Sequence, residues 1–184
     1  MPSPQEDISL LVKSSDWPTL RAYFHNRFND PRLPASDKAE LAILWGRLFL
    51  PEYLRDPSPA FHRTLLSDLF SPRNEYSAYP RGFGKTTMEQ LFLCVSVAHR
   101  LHRFIVVVEK TFTEAAEVLD VPRREFSDNA LIKAVYGSLV SLRSDDAPAD
   151  LKGGDAEGDI FINTVRLRGK GFNAPIRGLK SAAY

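Results

Sequence analysis

Apolar positions along this chain follow two patterns, and the change comes near residue 72. From Met1 to about Ser71 they recur every three or four residues in short runs, the spacing of amphipathic helices. Prolines separate the runs. Pro2, Pro4, Pro18, Pro31, Pro34, Pro51, Pro57 and Pro59 all lie here, out of thirteen in the chain, and each limits helix length by removing a donor and crowding the preceding turn. Trp17 to Phe28 predicts a helix with Asp16 as N-cap and Pro18 in its first turn. Ser36 to Leu48 predicts a second, capped by Ser36, with Leu41, Ile43, Leu44, Trp45 and Leu48 as its apolar side. Ser58 to Phe70, opened by Ser-Pro, predicts a third. Residues 1–71 therefore read as an all-helical lead-in without repeats.

From Asn74 the pattern alternates strand and helix. Glu75 to Tyr79 predicts a short strand, followed by a glycine turn and a helical run from Thr86 to about His102. Phe104 to Val108 is FIVVV, a β-branched, unbroken run of the kind buried on both faces of a parallel sheet. Helices are expected from Thr113 to about Phe126 and from Asn129 to Tyr136, the latter stopped by Gly137. Ser144 to Gly158 is acidic and glycine-rich and reads as a flexible loop. Alternation then returns at Ile160, Ile162, Thr164 or Val165, and Leu167, with Gly169 and Gly171 marking a turn and a short element at Ile176 to Leu179. The expected fold class is α/β, a parallel sheet flanked by helices with an N-terminal helical extension. The expected domains are the lead-in (1–71) and a nucleotide-binding domain (72–184).

Composition supports a folded chain. It has 184 residues, 43% hydrophobic and 26% charged, enough for one compact domain with a buried core and unlike a disordered or collagenous sequence. The longest nearly apolar run, Leu91 to Ala98, is far short of the roughly 20 residues that cross a bilayer. The N-terminus MPSPQEDISL carries acidic residues where a secretory signal is basic. A cytoplasmic, non-membrane protein is expected. The single cysteine, Cys94, excludes an internal disulfide and reads as a small buried thiol. Net charge is +1, but no acidic residue follows Asp159: Arg166, Arg168, Lys170, Arg177 and Lys180 give the segment from Ile160 onward +5 and leave −4 on the rest. That asymmetry suits either a polyanion or an ordinary solvated surface.

The most informative motif is Tyr79-Pro80-Arg81-Gly82-Phe83-Gly84-Lys85-Thr86-Thr87, placed between predicted strand and predicted helix. It departs from GxxxxGKT at one position, where Tyr79 replaces the first glycine. Backbone N–H groups around Gly82 and Gly84 would wrap a phosphate, and the positive end of the following helix dipole would favour it. Lys85 would reach the β- and γ-phosphates and the Thr86 hydroxyl would complete a Mg²⁺ shell, which makes ATP and Mg²⁺ the expected cofactors. Phe83 and Thr87 complete the loop. Arg81 suits either stabilisation of γ-phosphate charge or pairing with a carboxylate that shapes the loop.

The PRGxGKT string resembles the large terminase subunits, the ATP-driven DNA-packaging motors of tailed bacteriophages. In that family the first glycine is often replaced and an arginine stands four residues before the lysine, the position of Arg81. The resemblance runs from about Leu48 to Tyr184. Upstream, LFLPEYLRDPSPAFHRTLLSDLF is similar to the family's lead-in, with Phe61-His62 as its aromatic-His pair. Downstream, FIVVVEKTFTEAAEVLDVPRREFSDNALIKAVYG resembles its strand-helix segment, and GFNAPIRGLKSAAY resembles the RG segment that precedes Walker B.

The resemblance implies a P-loop NTPase-type domain coupling ATP hydrolysis to translocation of double-stranded DNA. Phe61 and His62 would frame the adenine, and Lys85 and Arg81 would act on the phosphates. Portal, small terminase subunit and further copies in a ring would be partners. The apolar strand ending in Asp-Asp or Asp-Glu that follows the RG segment in the family is not in this sequence. The reading is thus of a domain truncated before Walker B, expected to hydrolyse ATP very slowly alone. Glu109, ending FIVVV, is a candidate substitute acid. A non-catalytic binding or assembly module on the same fold is the alternative.

The remaining candidates are weaker. His99 and His102 read as a surface pair at a helix C-terminus. Asp155, Glu157 and Asp159 lack complete calcium-loop spacing and read as a solvated loop. Arg166, Arg168, Lys170 and Arg177 are expected to face DNA or a neighbouring subunit.

Overall fold

A computed structural model describes residues 4–72, 80, 82–141 and 159–172. Its helices are α1 (Pro4–Lys13), α2 (Trp17–Phe28), α3 (Ala35–Phe49), α4 (Ala60–Phe70), α5 (Lys85–His99), α6 (Phe112–Asp128) and α7 (Ala130–Tyr136). The strands are β1 (Phe104–Glu109), β2 (Val140–Ser141), β3 (Asp159–Ile162) and β4 (Val165–Gly171), so the class is α/β. The predicted strand Glu75 to Tyr79, the acidic loop up to Gly158 and the element Ile176 to Leu179 lie outside the described residues.

Helix boundaries follow local chemistry. Asp16 caps α2 by accepting from the Thr19 N–H, with Pro18 in the first turn. Thr111 and Glu114 close a reciprocal capping box on α6. The Asn129 side chain accepts from the N–H groups of Leu131 and Ile132 to open α7, and Gly137, at φ +81°, ends it. Two caps differ from expectation: Pro34 precedes α3, leaving Ser36 inside it, and Pro59 precedes α4. Pro fits there because the first helical N–H groups need no intrahelical acceptor. Helix α1 was not anticipated from the sequence; Ile8, on it, is buried.

One core joins the lead-in to the rest. Every residue of α5 from Leu91 to His99 is buried, which is what a helix apolar on all sides requires. Phe24 and Phe28 of α2, Trp45 and Phe49 of α3, Phe126 of α6 and Tyr136 of α7 belong to the same core.

The sheet departs from the expected parallel arrangement. Its order is β1-β4-β3-β2. Only β1 and β4 run parallel, while β3 pairs antiparallel with both β4 and β2. The cause is a two-residue hairpin at Asn163 and Thr164, with φ +52° and +67°, the backbone a tight turn between right-twisted strands demands. Alternation over Ile160 to Leu167 is therefore two strands, and the phase slip between Ile162 and Val165 is the turn. Gly169 and Gly171 are not turn residues but lie within β4. A Cβ on Gly169 would stand 3.2 Å from Ala115 Cβ, and one on Gly171 would stand 3.0 Å from the Phe112 backbone nitrogen. Glycine lets the start of α6 lie directly on the strand.

Strand β1 is half-exposed along most of its length, not buried on both faces as FIVVV suggested, because among the described residues it has a sheet neighbour on one edge only. His99 corrects the expected surface pair. It is wholly buried among Phe24, Phe28, Trp45 and Tyr136, whereas His102 is exposed.

Candidate functional site

Helix α5 starts where the glycine motif ends. Gly82 and Gly84 have φ of +80° and +68°, left-handed values that a side-chain-bearing residue adopts only at a cost. Gly84 is the N-cap of α5 and makes no side-chain cap. Its carbonyl accepts the first helical bond, from the Met88 N–H at 3.1 Å. The N–H groups of Lys85, Thr86 and Thr87 therefore have no acceptor within the helix. Gly82, Phe83 and Thr86 are exposed, and Gly84, Lys85 and Thr87 are half-buried. Arg81 and Tyr79 lie outside the described residues.

Phe61 and His62 lie against this loop from the first turn of α4. The His62 Nε2–H donates to the Phe83 carbonyl at 3.0 Å, and the Phe61 and Phe83 rings have centroids 4.9 Å apart. Arg63 secures the same turn, donating to the Ser58 carbonyl at 2.7 Å and pairing with Glu40 of α3. A cavity of about 300 Å³ opens beside the loop, lined by Tyr53, Asp56, Ser58, His62, Gly84 and Thr87 among others. The Ser58 hydroxyl and His62 Nδ1 are buried there without a hydrogen-bond partner among the described residues.

Acidic groups flank the other side. Glu89 stands one turn beyond Lys85 on α5. Burial raises its carboxyl above the ordinary carboxylate range, the Glu109 charge raises it further, and Lys85 pulls it down. Glu109 ends β1, and its carbonyl accepts from the Phe172 N–H at 2.7 Å. The charge of Glu109 acts on Glu89, so the C-terminus of β1 lies near the first turns of α5. In open α/β sheets that end of the strands is where ligands bind. Glu89 was missed in the sequence, although its i,i+4 spacing from Lys85 is a readable signal. The bond from His62 to Phe83 spans 21 residues and leaves no such signal.

The basic C-terminal stretch divides. Arg166 is buried and holds Asp159 through Nε at 2.8 Å and Nη2 at 2.5 Å, with its guanidinium 5.6 Å from the ring centroids of both Phe104 and Phe161. The Asp159 hydrogen bond raises the Arg166 pKa. Arg166 is thus an internal ion pair and not a surface cation, and Asp159 is not part of a solvated acidic loop. Arg168 is half-buried 3.9 Å from the same carboxylate. Arg177 and Lys180 lie outside the described residues. Cys94 is buried, and burial pushes its thiol pKa up.

Among the described residues no group of three or more His, Cys, Asp or Glu could hold a metal ion, and no helix is long and apolar enough to cross a membrane. The fit to a phosphate therefore rests on backbone N–H groups, the helix dipole and Lys85. No family model, no curated protein and no solved structure matches this chain.

Proposed function

We propose that this chain is the ATP-binding part of a DNA-packaging motor of the large-terminase type, built on a P-loop NTPase-type domain. One observation carries the reading: left-handed Gly82 and Gly84 turn the backbone directly into α5 at Lys85-Thr86, so helix-start N–H groups, dipole and cation converge on one spot. Gly82, Phe83, Gly84, Lys85, Thr86 and Thr87 would hold the phosphates, and Thr86 would complete the shell of a Mg²⁺ carried in with ATP. Bound Mg²⁺ would offset phosphate charge; the protein's own part is to orient the chain of phosphates along the start of α5. By the same resemblance, double-stranded DNA, portal, small terminase subunit and a ring of copies are the partners, in the host cytoplasm.

The test is calorimetric titration of the purified chain with ATP and Mg²⁺, beside Lys85→Ala. The wild type should bind and the variant should lose binding. Equal affinities, or a wild type that binds no nucleotide, would overturn the reading.

A further inference from the structure

We infer that His62 is the positioning residue that aims the phosphate loop, acting through the Phe83 carbonyl and not through the base of the nucleotide. The inference rests on the nucleotide-binding reading above. A loop that presents N–H groups to an anion must turn its carbonyls away, and a donor bonded to such a carbonyl fixes the direction in which it points. His62 Nε2 supplies that donor to Phe83 at 3.0 Å; since a carbonyl only accepts, the proton is on Nε2. The Phe83–Gly84 peptide is planar and trans, so its N–H points opposite to its C=O. Holding the Phe83 oxygen toward α4 therefore turns the Gly84 N–H away from α4, and Gly84 is the N-cap on which α5 begins.

The approach is close enough to constrain both partners. A Cβ on Gly84 would sit 3.0 Å from His62 Nε2 and push that side chain by a few tenths of an ångström, and the φ of +68° strains any residue with a side chain. The Phe61 and Phe83 rings clamp the same segment. Arg63, bonded to the Ser58 carbonyl and paired with Glu40, fixes the turn of α4 that carries His62. The lead-in thus helps to shape the phosphate site, and its role is specific to polyphosphate rather than to adenine.

The experiment uses two probes, ATP and base-free inorganic tripolyphosphate, each with Mg²⁺. They are titrated into wild type, His62→Leu, His62→Asn and His62→Gln. Leu has no donor, and the Asn amide is too short to reach the Phe83 oxygen. Both should weaken the two probes in parallel by about tenfold, the effect of one lost hydrogen bond. Gln, whose amide nitrogen falls near the position of Nε2, should recover most of the affinity. In the ligand-free protein, the Gly84 amide ¹⁵N resonance should move in the Leu and Asn variants and return toward wild type in Gln.

Loss of ATP binding with tripolyphosphate unaffected would place His62 on the base and overturn the inference. Unchanged affinities with an unmoved Gly84 resonance would overturn it while leaving the nucleotide-binding reading intact. A wild type that binds neither probe would remove both, and the inference would fail with the site it serves.

Discussion

His99 makes the protein sensitive to mild acid by an amount that can be worked out. Burial pushes its imidazole from the ordinary 6.5 down to about 3, with the charges of His25 and Arg21 on α2 acting in the same direction. Around it are Phe24 and Phe28 of α2, Trp45 of α3 and Tyr136 of α7. Tyr136 Oη and His99 Nε2 share a 3.2 Å hydrogen bond, and Trp45 Nε1 donates to Tyr136 Oη at 2.8 Å. The unfolded chain takes up the proton near pH 6.5 and the folded chain only near pH 3. Stability is therefore full above pH 6.5 and falls with decreasing pH until about 3, where both states are protonated.

The slope in that window is about 1.4 kcal/mol per pH unit. Between pH 7.5 and 5.5 His99 alone should cost about 1.4 kcal/mol, or about 3–5 °C in Tm for a chain of this size. Urea unfolding at the two pH values, in wild type and His99→Phe, isolates the effect. Phe keeps the ring packing and removes the titration, so the variant should lose about 1.4 kcal/mol less than wild type on acidification. Other titrating groups, common to both proteins, cancel in the difference. Equal losses in the two proteins would refute the burial of a neutral His99.

Gly84→Ala should lower stability by about 1–2 kcal/mol, the cost of a left-handed L-residue, and weaken polyphosphate binding by crowding His62. Thermal unfolding and the same titration check this, and an unaffected variant would contradict the loop geometry. Asp159→Ala should destabilise by about 1–3 kcal/mol, because it removes two charge-assisted hydrogen bonds from the Arg166 guanidinium; a urea melt indistinguishable from wild type would refute the internal pairing.

Elements set by local chemistry could be read directly from the residues. The cap at Asp16 and the stop at Gly137 act within four residues of where they sit, so α2 begins and α7 ends where the residues say. The same holds for the glycine turn leading into α5, whose left-handed φ values at Gly82 and Gly84 the structure supplies. FIVVV is a strand in the structure as in the sequence.

What the residues could not reveal are contacts made between distant segments. Whether a strand pairs parallel or antiparallel depends on which neighbour the chain brings to its edge. The Asn163-Thr164 hairpin sets that for β3 and β4, and Asn163 fits there partly because its amide donates to the Val97 and Ala98 carbonyls at the end of α5, at 2.8 and 3.1 Å. Gly169 and Gly171 look like turn residues in any linear reading and become strand residues only because α6 lies on them. His99 and Arg166 are polar by type and buried by place, since Tyr136 lies 37 residues from the first and Asp159 lies 7 from the second. Sequence periodicity records which face of an element is apolar. It does not record which polar group folding will desolvate, because that depends on the partner that arrives to satisfy it.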